Sequence, residues 1–177
     1  MKLLRTVQFD ASDNFVFERP AEPGEWAVSG AFAFWGMDVR ALVGKQRAAF
    51  RAGFLGVNSL GRSTLAQIVN ASDDDLFLAI DALAERLLSD FHAPDIQTAR
   101  RAAEDEINFA ASLCDHPAGL IVAVTRSFEN ETIREAFRTL RPGTRTHSFA
   151  FNFVEVVGED AAEEQVDLTT LGGVAAR

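Results

Sequence analysis

Hydrophobic and polar residues alternate in several short stretches near the start of the chain, a pattern typical of strands with one buried face. The alternation predicts a strand at 3–9, a short strand at 15–18 and a longer strand at 25–35. The longer strand would carry large apolar side chains on one face and only Ala and Ser on the other. The glycine-rich stretch 53–70 is expected to form a loop or hairpin that ends in a further strand.

Apolar residues that recur every three or four positions predict helices in the middle of the chain. The first helix is expected at 38–52, after an N-cap that Asp38 could provide. The clearest helix begins after Ser72, which can cap its N-terminus while Asp75 stands at the capping-box position. Because only a short turn interrupts the pattern, residues 72–114 are predicted to form an αα-hairpin.

The last third of the chain contains both the strand pattern and the helix pattern. A strand is expected at 119–128, a short helix at 131–140 with Ile133 and Phe137 on one face, and a last strand at 147–157. The whole order predicts an α+β fold: a mostly antiparallel sheet of about six strands, with helices, including the αα-hairpin, packed on one face.

Composition refines this picture of the domain and its surroundings. Residues 1–157 are expected to form a single α+β domain, and residues 158–177, with five acids and one arginine, an acidic C-terminal tail. The net charge of -9 argues against nucleic-acid or anionic membrane partners, which require a basic face. No membrane-spanning run or secretory signal is apparent. These features predict a cytoplasmic protein.

The segment "GVNSLGRS" at 56–63 comes close to the pattern of a phosphate-binding loop, except that Arg62 stands where a lysine is needed. A phosphate loop connects a buried strand to the N-terminus of a helix. Here a predicted helix precedes the segment and a β-like stretch follows it. We therefore expect a glycine-rich turn, and no nucleotide cofactor.

The only cysteine lies in "SLCDHPAG", two positions before a histidine. A Cys–His pair can provide a thiolate nucleophile, so Cys114, Asp115 and His116 are weak catalytic candidates. However, helical phase places Cys114 on one apolar stripe with Ile107 and Ala110, which predicts a packed side chain. The three histidines of the chain have no ligand spacing, so no metal site is expected.

Arginines are concentrated toward the end of the expected domain, against the acidic background of the chain. The candidates for binding a partner or an anion are Arg126, Arg134, Arg138, Arg141 and Arg145. If 131–141 is helical, Arg134, Arg138 and Arg141 form a stripe that could dock an acidic group. Pairing with neighbouring glutamates, or with the acidic tail, is the alternative.

Three segments, "KLLRTVQFD", "FVFERPAEPGEWAVSGAFAFWG" and "FAASLCDHPAG", resemble a small family of uncharacterised bacterial proteins, mostly alphaproteobacterial. The resemblance covers roughly residues 1–146 and implies no activity, catalytic residue or cofactor. It does imply an accessory or small-subunit role beside molybdenum-containing oxidoreductases.

Together, these observations predict a non-catalytic protein that binds another protein, as an accessory factor or small subunit of a redox enzyme complex. A small-molecule-binding protein or enzyme is the alternative, with a pocket between the Ala-rich face of strand 25–35 and Cys114–Asp115–His116. Self-association also remains open.

Overall fold

The computed structural model describes residues 1–8, 12–141 and 155–160. Its elements in chain order are β1 (Lys2–Val7), α1 (Ser12–Val16), β2 (Trp26–Val28), a 3₁₀ turn (Ala31–Phe34), α2 (Gly44–Ala52), β3 (Phe54–Gly56), β4 (Arg62–Ser63), β5 (Leu65–Asn70), α3 (Asp73–Ser89), α4 (Ile96–Ser112), β6 (Ile121–Glu129), β7 (Thr132–Arg141) and β8 (Glu155–Asp160). None of the helices in these ranges is long and apolar enough to cross a bilayer.

The strands form one antiparallel sheet in the order β4-β3-β2-β1-β5-β6-β7-β8. The sheet is strongly curled. Four strands separate β3 from β7, yet the ring centroids of Phe54 on β3 and Phe137 on β7 are only 6.3 Å apart. The predicted antiparallel sheet with helices is therefore confirmed in outline. The described residues contain eight strands, two more than expected.

The αα-hairpin is confirmed, and its caps explain where the helices begin. The hydroxyl of Ser72 accepts a hydrogen bond from the Asp75 amide at 3.1 Å, and the Asp75 carboxylate accepts one from the Ser72 amide at 2.9 Å. The bond from the Ser72 amide, followed by one that the Ser72 hydroxyl donates to the same carboxylate at 2.7 Å, lowers the pKa of Asp75. Helix α4 begins after Asp95 and packs inside the curled sheet, where Phe109 meets Phe137 edge to face at 5.8 Å.

The predicted helix at 131–140 is wrong, because this stretch is the long strand β7. Its register with β6 places Ile133, Glu135, Phe137 and Thr139 on the inward face. Considered alone, the apolar residues Ile133 and Phe137 are four positions apart, as on one face of a helix. Once Glu135 and Thr139 are included, the inward residues recur every second position, which is the period of a strand. The inward carboxylate is thus the physical reason for the error.

The strand predicted at 25–35 ends early. Strand β2 stops at Val28, since Gly30 adopts a φ of 73°, a conformation that favours glycine and turns the chain into the 3₁₀ helix. A Cβ atom at Gly30 would also collide with the side chain of Leu55. The continuous Ala-rich strand face that was expected to line a pocket is therefore absent.

Two further predictions need correction. The short strand expected at 15–18 overlaps helix α1, whose preceding residues lie outside the described ranges. Asp38 does not cap a helix: its carboxylate accepts a bond from the Arg40 amide in a turn, and α2 begins only at Gly44.

The end of the chain is described only in part. The strand predicted at 147–157 overlaps β8, which continues to Asp160 and thus into the stretch expected to be tail. Residues 142–154 and 161–177 lie outside the described ranges, and with them Arg145 and most of the predicted acidic tail.

Candidate protein-binding surface

Arg126 lies in the interior of the curled sheet, with a relative exposure of 2%. Its Nε donates to Glu135, its Nη1 donates to the backbone oxygens of Phe50 at 3.0 Å and Gly53 at 2.9 Å, and its Nη2 donates to the Ser29 carbonyl. All three nitrogens therefore have acceptors within the protein. The prediction that Arg126 belongs to a binding surface is wrong, because it is a structural side chain.

The Arg126–Glu135 pair is part of a larger buried network. The Ser29 hydroxyl donates to both oxygens of Glu135, at 2.6 and 2.8 Å. Nearby, Nη1 of Arg62 donates to the Gly30 carbonyl at 3.3 Å, and its guanidinium stacks over a phenylalanine ring. Burial, followed by the repulsion of Arg126, lowers the pKa of Arg62 to about 9. Both guanidinium groups hold loops together inside the fold.

The glycine-rich segment 56–63 forms the predicted turn, as the connection between β3 and β4. The carboxylate of Glu25 accepts bonds from the amides of Asn58 at 2.8 Å and Ser59 at 2.9 Å. A Cβ atom at Gly56 would collide with that carboxylate. The loop thus uses its N–H groups as anion-binding loops do, but the anion is a carboxylate of the same chain.

Cys114 is buried at the end of α4, which confirms the packed side chain predicted from helical phase. Its thiol donates to the Ala110 carbonyl at 3.4 Å, and burial raises its pKa to about 12. The neighbouring Asp115 is exposed and His116 is half-buried, with its carbonyl bonded by the Lys2 ammonium at 2.6 Å. This setting is unlike that of a reactive cysteine, which needs an accessible thiolate.

The remaining described arginines of the predicted stripe lie on or at the end of β7. Arg134 and Arg138 share the outward face, roughly 13 Å apart at about 3.3 Å per residue. Arg134 lies 3.7 Å from a carboxylate oxygen of Glu129, and Arg141 is exposed at the end of the strand. The strand therefore spaces these cations more widely than the expected helix would.

A different basic surface covers a second, smaller core. This core contains Phe34, Val39, Leu42 and Phe50, and two partly buried side chains of β6 and β7 complete it. Residues 35–52 wrap around it, first as an irregular segment and then as α2. Their outward side chains are available to solvent.

The outward side chains of this segment are unusually basic. Arg40, Lys45, Arg47 and Arg51 are all exposed, and Asp38 is the only acid among residues 35–52. The segment has a net charge of +3 in a chain whose net charge is -9. Arg47 and Arg51 stand four residues apart and therefore share one face of α2.

Two of the four basic residues contact neighbouring elements. The Arg40 guanidinium lies over the Phe128 ring, 5.1 Å from its centroid. The Lys45 ammonium donates to the carbonyls of Asn14 and Phe17, which brings α1 against the N-terminal end of α2.

Large apolar side chains are exposed within the same region. The relative exposure is 53% for Trp35, 46% for Met37, 74% for Val43 and 77% for Phe15 on α1. Together with Arg40, Lys45, Arg47 and Arg51, these residues define what we call the α2 surface. The signal for it was present in the sequence, as four cations and one acid between residues 35 and 52. The sequence-based prediction instead assigned the binding surface to the more closely spaced arginines between residues 126 and 145.

In the part of the chain that the structure describes, no three His, Cys, Asp or Glu side chains are grouped so that they could hold a metal ion. Fold and surface together define an α+β protein with a curled antiparallel sheet and an exposed basic–apolar surface.

The chain belongs to a family of unknown function, DUF6505, whose model matches residues 1–156. The match extends from β1 into β8 and includes the whole α2 surface. No curated protein and no solved structure matches the chain.

Proposed function

We propose that the protein is a non-catalytic binding protein that docks an acidic, partly apolar partner protein on the α2 surface. The observation that carries the proposal is the exposure of Trp35, Met37 and Val43 beside four cations, in a chain that is otherwise acidic. The exposed apolar side chains remain in contact with water in the isolated chain, and large exposed apolar groups beside arginine are typical of protein interfaces.

The apolar and charged residues would have different roles in binding. Aromatic and methionine side chains supply the buried contact area at the centre of an interface, and tryptophan is enriched among residues that dominate the affinity. The cations would attract an acidic partner and select against basic ones, mainly by increasing the association rate. Such an interface would weaken as salt screens the charges.

The underlying structure supports docking with little rearrangement. The last turn of α2 is anchored because Arg126 donates to the carbonyls of Phe50 and Gly53. Phe34 and Phe50 meet edge to face at 5.2 Å beneath the surface. A surface held on a packed core loses less conformational entropy on binding.

The resemblance noted in the sequence implies an accessory or small-subunit role, which agrees with this proposal. An accessory factor or small subunit of a redox enzyme complex, possessing no activity of its own, would need such a docking surface. A small-molecule site near Cys114 is supported less well, since the thiol is buried and its pKa is raised to about 12.

The test compares two double variants that change the charge equally on different surfaces. Arg47→Glu/Arg51→Glu alters the α2 surface, and Arg134→Glu/Arg138→Glu alters the outward face of β7. Each tagged protein is used to capture partners from a lysate of the source organism, and the captured protein is then purified for affinity measurement. Circular dichroism checks that both variants are folded.

We expect wild type and the β7 variant to retain one stoichiometric partner, and the α2 variant to bind it at least about 30-fold more weakly, as for loss of an interface hot spot. Equal binding by all three proteins would contradict docking at α2, and loss only in the β7 variant would move the site to that strand. If no partner is captured by any form, the proposed function fails.

A further inference from the structure

The outward face of α3 carries an acidic and apolar stripe. At 100° per residue, six exposed residues fall within an arc of about 100°, opposite the buried seam. They are Asp74, Phe77, Leu78, Asp81, Glu85 and Leu88. We call this set the α3 stripe.

The apolar members of the α3 stripe lie outside the buried core of the protein. The relative exposure is 53% for Phe77, 65% for Leu78 and 39% for Leu88. The buried seam of α3 already contains five residues, including Ile80 and Leu83, that pack into the main core. A helix that only covers a core would have polar residues on its outward face.

The charge of the α3 stripe is negative. Asp81 is paired with Arg100 of α4, and both side chains remain about half exposed. Asp74 and Glu85 add two further carboxylates, with no cation within the stripe itself. The stripe thus presents apolar groups flanked by acids, whereas the α2 surface presents apolar groups flanked by cations.

We propose that the α3 stripe of one copy docks on the α2 surface of a second copy. The two surfaces of the same molecule do not cover each other, because the large apolar residues of both are exposed in the folded chain. They are complementary in charge and share an apolar component, which are the properties that favour a specific contact. The inference rests on the proposed function, since it assigns an occupant to the same α2 surface.

The geometry of this contact is heterologous, because each copy contributes a different surface. Every molecule in such a contact keeps one surface available for another copy, and association continues unless a ring closes. An acidic partner protein would compete with the α3 stripe for the α2 surface. Self-association would therefore keep the α2 surface covered until that partner is present.

Charge-reversal variants test this pairing directly in sedimentation experiments on the full chain over a range of concentrations. The first is Arg47→Glu/Arg51→Glu on α2, and the second is Asp74→Lys/Glu85→Lys on α3. Each variant alone would face like charges across the contact. An equimolar mixture would again bring opposite charges together, because the basic α2 of the second variant meets the acidic α3 of the first.

We expect wild type to form species of at least twice the chain mass of 19.3 kDa as concentration rises, with loss of these species at high salt. Each variant alone should remain monomeric, and the mixture should recover the larger species. The control Arg134→Glu/Arg138→Glu, with the same charge change as the α2 variant, should associate like wild type.

Three results would overturn the inference: a wild type that is monomeric throughout, an α3 variant that associates normally, or a mixture that stays monomeric. The proposed function is tested separately, because the α3 variant retains its α2 surface and should still bind the partner protein. Partner binding without self-association would leave the proposed function standing and remove only the second copy as an occupant.

Discussion

At the scale of single residues, Glu135 is the side chain on which the buried network depends. It is the acceptor for the Arg126 Nε and for the Ser29 hydroxyl, at 5% relative exposure. Replacing Glu135 with Ala leaves a buried guanidinium without its counter-charge. We expect the free energy of unfolding to fall by about 3–5 kcal/mol, measured by chemical denaturation.

The neighbouring position on β7 provides the matched control. Arg134 faces outward, and its ion pair with Glu129 at 3.7 Å is about half exposed. Arg134→Ala should therefore change the free energy of unfolding by less than about 1 kcal/mol. If Glu135→Ala were as mild as Arg134→Ala, the network would contribute little to stability.

Cys114 gives a second prediction for a single side chain, because its pKa of about 12 leaves almost no thiolate at neutral pH. A thiol reagent should react with the native protein only as fast as the chain opens, and with one equivalent at once in denaturant. Since the pKa is higher in the folded than in the unfolded state, the thiol stabilises the fold at neutral pH. That contribution should be lost as pH rises from about 8.5 toward 12. Rapid labelling of the native protein would contradict burial.

At the scale of secondary-structure elements, the N-terminus of α3 depends on a reciprocal cap. Ser72→Ala removes the acceptor for the Asp75 amide, so we expect a loss of about 1 kcal/mol in the free energy of unfolding. Because the pKa of Asp75 is lowered in the fold, its part of the cap is present at neutral pH and disappears as pH falls below about 4.

The capping prediction is checked by denaturation at neutral and acidic pH. Ser112→Ala, at the exposed C-terminal end of α4, serves as a control, because the Ser112 hydroxyl donates to the Phe109 carbonyl and the N-terminal cap of α3 stays intact. Asp75→Asn should cost less relative to wild type in acid than at neutral pH. A difference that is constant with pH would mean that the charged form of Asp75 does not contribute.

The same elements explain how far the sequence could predict the fold. The αα-hairpin was predictable because Ser72 and the long apolar seam of α3 act locally. Strand β7 was not, since its inward Glu135 is tolerated only because Arg126 comes from the neighbouring strand. A pattern read along one chain segment cannot include a counter-ion supplied by tertiary structure.

The sequence predicted the basic character of the candidate site but not its location. A basic surface in an acidic chain was expected, but it was assigned to arginines of which one, Arg126, is buried. The α2 surface depends on which side of residues 35–52 faces the small core, and that side follows from Phe34 and Phe50 meeting beneath it. Exposure of Trp35 and Val43 then results from three-dimensional packing, which hydrophobic residue types alone do not reveal.

At the scale of the whole molecule, the curl of the sheet connects the interior to the α2 surface. It allows Arg126 on β6 to reach the carbonyls that follow β2 and precede β3, although β1 and β5 lie between these strands in the sheet. The guanidinium also donates to the Phe50 carbonyl near the end of α2, where a cation is favoured by the helix dipole. Arg126 therefore helps to hold α2 in place on the sheet, together with the packing of Phe50 in the small core.

This connection gives the buried charges a role beyond stability. Hydrophobic side chains of similar volume could replace both Arg126 and Glu135, often with no loss of stability, but they could not bond the carbonyls of Phe50 and Gly53. The interior ion pair thus contributes to positioning the helix that carries the surface cations. Glu135 orients Arg126, Arg126 anchors the end of α2, and α2 carries Arg47 and Arg51, which the proposed acidic partner would contact.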